Sequence, residues 1–202
     1  MQNQIKKTQS GYSLIELSIS LAIIGIVIAG SIVGVTSILR SNNVNKTVSQ
    51  TNTATNKIVG RLARDTTYVN ATTLILSADN QEIWEAPQIV SAGNVQHFFG
   101  NRIFVAPNKD TLLTTDKEQG YVYTLTGVPL AACNDLVVGL ETLGVGLSAI
   151  REEAQTTAPE TLKTGDSLIK EPGKPFSTAK ATKACNTGEG QSVTISLFVP
   201  RR

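Results

Sequence analysis

The sequence predicts an α+β fold in which one long N-terminal helix packs against an antiparallel sheet. Three observations carry this. Leu17 to Leu39 is an uncharged run of 23 residues, and a helical beat continues beyond it. Three later segments read as strands, and two cysteines, Cys133 and Cys185, stand in the second half of the chain.

The helix comes first. A membrane-spanning helix needs roughly 20 apolar residues at about 1.5 Å rise each, so the run is long enough to span. From Arg40 the chain turns polar, yet Val44, Val48, Thr51, Thr55, Ile58 and Leu62 recur at steps of three and four. That spacing makes one amphipathic face. The pattern predicts a single helix over about 12–63, with its spanning part at about 14–39 and its second half on a globular head, residues 64–202. Arg40, Lys46, Lys57 and Arg61 read as the solvated face.

Arg102–Ala106, Gly120–Leu125 and Ser192–Val199 supply the strands. Each is rich in β-branched or aromatic residues, roughly alternating, and bounded by turn formers. Leu130, Cys133, Leu136 or Val137, and Leu140 fall on one face of a short helix after Pro129. Leu74–Leu76 and Glu82–Trp84 are short apolar pieces, open to either helix or strand, and Trp84 reads as a plug for the core. Residues 150–180, with Pro172, Gly173 and Pro175, read as an exposed loop.

Positive-inside logic places Lys6 and Lys7 in the cytoplasm and the head outside. There an even cysteine count reads as one Cys133–Cys185 disulfide closing a segment over 133–185; the alternative is two free buried thiols. By chain entropy such a bridge contributes on the order of 4 kcal/mol.

Residues 1–11 are polar and basic. An ordinary secretory signal is cut after its apolar region. Here the good small-residue junction, Ser10-Gly11, precedes it, so cleavage would leave the apolar run at the new N-terminus. The formal charge of +2 includes both lysines, and the shortened chain balances 16 basic against 16 acidic residues. No basic run remains to bind nucleic acid.

Lys6-Lys7, Gly11, Tyr12-Ser13-Leu14-Ile15-Glu16-Leu17 and the following uncharged helix resemble the class III signal of type IV prepilins and the related pseudopilins. The resemblance implies a cut after Gly11 by a prepilin peptidase and N-methylation of Tyr12. It also implies a pilin fold and assembly of identical copies into a filament, a helical homo-oligomer. Before assembly the subunit sits in the bacterial inner membrane and is handed to the pilus assembly machinery. Afterwards it lies in an extracellular pilus. A Tyr at the new terminus, Val33 where a helix-bending Pro is common, and the longer leader lean to the type IVb branch. So does a second cysteine shortly before the final strand.

On this resemblance Glu16 is an assembly residue. A neighbour's N-terminal charge pairs with it inside an apolar bundle and sets register, because a buried unpaired carboxylate costs several kcal/mol. The plain alternative is an acid tolerated at a helix N-terminus. Gly30 and Gly34 form a small-xxx-small packing spacing, and Gly25 is a point where the helix can stretch. Glycine is also simply common in membrane helices.

Catalytic inventories are missing from the sequence. His97 is the one histidine, no close cysteine pair suits zinc, and no Gly-x-Ser-x-Gly or phosphate-binding loop occurs. Asp116, Glu118, Asp135 and Glu141 have no visible pairing, and Gly188-Glu189-Gly190 reads as a turn. Aromatic residues make up only 5%, too few for a large aromatic-lined cleft. The sequence therefore predicts no enzyme and no cofactor. It predicts a pilus subunit serving adhesion, self-association or conjugation. A minor pilin or secretion pseudopilin, and more distantly a single-span anchored binding domain, are the other readings.

Overall fold

The computed structural model describes residues 13–77, 82–85, 88–109, 119–144, 146–162 and 167–201. Helix α1 runs from Leu14 to Arg61 without a break. The chain divides into two compact units, 1–40 and 41–202, so the second half of α1 belongs to the head. Besides α1, the head contains α2 (Thr73–Leu76), α3 (Leu130–Leu140) and α4 (Thr178–Asn186). Its seven strands are β1 (Ile89–Ser91), β2 (Asn94–Gln96), β3 (Arg102–Pro107), β4 (Gly120–Pro129), β5 (Gly146–Glu152), β6 (Leu168–Lys170) and β7 (Ser192–Pro200). They form one antiparallel sheet in the order β1-β2-β3-β4-β7-β5-β6.

Alternation along the two central strands decides what each face touches. Tyr121, Tyr123 and Leu125 of β4, with Ile195, Leu197 and Val199 of β7, join the main core with Ala54, Ile58 and Leu62. The intervening Val122 and Phe198 point to the other face, where they pack with Leu162 and Leu168. Thr124 and Ser196, also intervening, pair their hydroxyls at 3.0 Å. The expected exposed loop over 150–180 is thus corrected: part of it covers the second face of the sheet, and it contains β6 and the start of α4.

The buried face of α1 includes three threonines, Thr47, Thr51 and Thr55, among its seven buried residues. Thr51 Oγ1 donates to the Thr47 carbonyl and Thr55 Oγ1 to the Thr51 carbonyl, each at 2.8 Å. This back-bonding satisfies the two hydroxyls without leaving the helix. The Tyr121 hydroxyl then donates to the Thr55 carbonyl across the helix–sheet junction at 3.3 Å. Trp84 is buried as expected, its indole N–H 3.5 Å from the Tyr123 hydroxyl. Burial pushes the Tyr123 phenol up to about 12.

Gly139 explains how closely α3 lies on α1. A Cβ added there would sit 2.6 Å from Val48 Cγ2. We expect Gly139→Ala to destabilise the head by about 1–2 kcal/mol through overpacking, and Val48→Ala to recover part of that loss in the double variant. Denaturant unfolding of the four proteins checks the coupling.

Cys133 on α3 and Cys185 on α4 form the disulfide, with Cα atoms 5.9 Å apart. Both cysteines are buried. The Cys133→Ser/Cys185→Ser double variant is expected to lose about 4 kcal/mol of unfolding free energy relative to the oxidised protein. Urea titration of the two proteins measures it.

Candidate assembly and processing site

Gly11 and Tyr12, the expected cleavage and methylation positions, lie outside the described residues. Just after them, Ser13 immediately precedes α1, and its carbonyl accepts the Leu17 N–H at 3.1 Å. Glu16 is exposed in the first turn, where the helix dipole favours a negative charge. No ion pair among the described residues includes Glu16.

From Leu14 to Leu39 every side chain is exposed. This stretch is part of a helix long and apolar enough to cross a membrane. Four of its hydroxyls are satisfied internally: Ser18 donates to the Ile15 carbonyl, Ser20 to Glu16, Ser31 to Val27 and Thr36 to Val33, at 2.7–2.9 Å. A helix in hydrocarbon has no water for such groups, so internal bonding is the arrangement an apolar surrounding requires.

Gly25, Gly30 and Gly34 have nothing within 4 Å of an added Cβ. The chain itself supplies no steric reason for glycine at any of them. At about 100° per residue, Gly34 lies five turns above Glu16 on the same face, and Gly30 lies close to that face. Gly25 lies on the opposite side. The helix therefore groups Glu16, Gly30 and Gly34, and separates Gly25 from them.

His97 does different work, as an internal fastener. It sits beyond β2 and is buried, and its Nε2–H donates to the Thr126 carbonyl at 2.8 Å. Its Nδ1 accepts the Phe99 N–H at 3.2 Å. Thr126 and Gly127 interrupt the β4–β7 register, with Gly127 at φ +63. A side chain at Gly127 would strike that of Asn101, whose amide donates to the Gly127 carbonyl. The histidine thus pins the β2–β3 turn to the β4 bulge, using both ring nitrogens in the neutral form.

Desolvation lowers the His97 pKa to about 4, against the Thr126 contact, which raises it. The folded state therefore resists protonation that the unfolded chain accepts near 6.5. Stability from this group is complete above about pH 6.5 and is lost as pH falls towards 4. Between pH 7 and 4.5 the wild type is expected to lose on the order of 2 kcal/mol more than His97→Asn. Urea unfolding of both proteins at the two pH values reads the difference.

Among the described residues, no group of three His, Cys, Asp or Glu could hold a metal ion. The carboxylates Asp116 and Glu118 lie outside them.

Residues 6–32 match the family model for the prokaryotic N-terminal methylation motif. Two pilins are among the solved structures similar to the chain. TcpA, a type IV pilin from Vibrio cholerae El Tor biotype, is 13% identical at a TM-score of 0.53, covering 78% of this chain and 98% of its own. A type IV b pilin from Salmonella typhi is 16% identical at a TM-score of 0.53, covering 78% and 99% respectively. No curated protein matches the sequence. The chain thus shares the α+β fold of these two pilin structures and carries the methylation motif at the start of its apolar helix.

Proposed function

We propose that the chain is the structural subunit of a type IVb pilus, with no catalytic role. A prepilin peptidase removes residues 1–11, leaving N-methylated Tyr12 at the head of α1. The subunit waits in the inner membrane until the assembly machinery moves it into an extracellular filament of identical copies. The filament serves adhesion, self-association or conjugation.

The observation that carries this reading is the apolar helix with a single acid in its first turn, its side chains from Leu14 to Leu39 all exposed among the described residues. Such a surface needs lipid before assembly and sister helices afterwards. In the filament Glu16 pairs with the N-terminal charge of a neighbour, and Gly30 and Gly34, near its face, admit close helix approach. An offset neighbour leaves the carboxylate unpaired in an apolar bundle, at a cost of several kcal/mol.

Glu16→Ala is expected to be cut normally but to form few or no filaments. Mass spectrometry of the N-terminus and electron microscopy of sheared cell surfaces read the two outcomes. A mature protein that retains Met1 overturns the processing step. Abundant filaments from the variant overturn the role of Glu16.

A further inference from the structure

The head carries a cleft of about 380 Å³ that the assembly reading leaves unused. This is within the roughly 300–1,000 Å³ of small-ligand sites. One face of α1 contributes Lys46, Gln50 and Lys57, and the loops facing it contribute Glu85, Gln88 and Phe98.

Its two lysines are held by neutral groups. The Lys46 ammonium lies 5.6 Å from the centre of the Phe98 ring, a cation–π contact. Lys57 donates to the carbonyl of Glu82. Glu82 has φ 50, the left-handed conformation that a non-glycine residue adopts at a cost. Neither lysine takes part in an ion pair among the described residues. Two positioned ammonium groups therefore share a cleft with one facing carboxylate, that of Glu85.

Gln50 adds an unmet requirement. The residue is only 8% exposed, and its Nε2 donates to the Gln96 carbonyl at 3.2 Å. That bond fixes the amide orientation and leaves Oε1 without a hydrogen-bond partner among the described residues. A buried acceptor left unpaired costs about 1–3 kcal/mol, so a donor supplied from outside is favoured.

A ligand for this cleft must bring negative charge for the lysines and hydroxyl donors for Gln50. Chloride and sulfate lack the donors, and a neutral sugar lacks the charge. We propose that the cleft binds an acidic oligosaccharide of the hexuronate class. α1 sets Lys46 and Lys57 about 16 Å apart at the backbone, so carboxylates of separate sugar residues lie at each, and hydroxyls between them donate to Gln50 and to Glu85. Gln50 Oε1 is screened from water, so occupancy moves the cleft wall slightly. Trp84, the one tryptophan, lies in sequence between the lining residues Ile83 and Glu85 and reports that movement.

The test is titration of the full chain in neutral detergent micelles, read by Trp84 emission and by saturation-transfer NMR on the sugar. The probes are trigalacturonate, maltotriose, acetate and polyglutamate. Trigalacturonate is expected to give a saturable response with a Kd of roughly 0.1–1 mM. Maltotriose and acetate should bind about tenfold more weakly, and added salt should weaken trigalacturonate. Lys46→Gln, at an exposed position, should lower its affinity about fivefold with unchanged thermal melting, and Lys57→Gln should do likewise. The proposal is overturned by the absence of a saturable response, or by equal binding of maltotriose or acetate. An unaltered Lys46→Gln titration also overturns it. Equal or tighter binding of polyglutamate overturns the saccharide assignment in favour of an acidic peptide.

Discussion

The head depends on covering the second half of α1. A helix face built from Thr47, Thr51 and Thr55 buries little hydrocarbon, and a polar group buried unbonded is costly. While the Thr47 hydroxyl has no partner among the described residues, the fold meets this for Thr51 and Thr55 by back-bonding within the helix and by presenting tyrosines from β4. Their rings fill the space and Tyr121 reaches a helix carbonyl. Gly139 lets α3 close on Val48 beside this layer. The same helix face thus sets which residues of β4 must be large and how near α3 must come.

Long periodic segments could be read from the sequence, and short or weakly patterned ones could not. The helix α1, the strands β3, β4 and β7, and α3 each carry a sustained period and clear ends. β1, β2 and β6 are three residues each, too short for alternation to register. β5 begins on a glycine and carries Ser148, Arg151 and Glu152. α4 buries only Ala181, Ala184 and Cys185, so its stripe is faint against its lysines and threonines. Its usable signal was local: Ser177 caps the helix by accepting the Lys180 N–H, and no Pro or Gly follows before Asn186.

The candidate sites divide in the same way. The Gly11–Glu16 constellation is a linear motif and needs no fold to be noticed. The cleft at Lys46 and Lys57 is a product of tertiary structure: in sequence both lysines look like a solvated face, and only folding brings Phe98 and Glu85 opposite them. Gly25, Gly30 and Gly34 look alike in sequence, and the helical period separates them. His97 illustrates the converse. Its isolation in sequence argued against catalysis, but its actual task, joining a turn to a strand bulge, depends on the β4 irregularity that sequence does not announce.

The bridge between Cys133 and Cys185 also alters the effective connectivity of the sheet. β4 and β7 pair at its centre, from Pro129 with Ser192 onwards, although about 60 residues separate these two positions in the chain. Through the disulfide the route is only four residues from Pro129 to Cys133 and seven from Cys185 to Ser192. Shortening a closure by that factor lowers its entropic cost by about 1.5 kcal/mol. β7 also holds β4 on one side and β5 on the other, so the two halves of the sheet meet only through it. An oxidised chain can close this seam as though it were a local hairpin, whereas a reduced chain must find it by a long-range search. The oxidation state of one sulfur pair therefore decides how quickly two half-sheets become one.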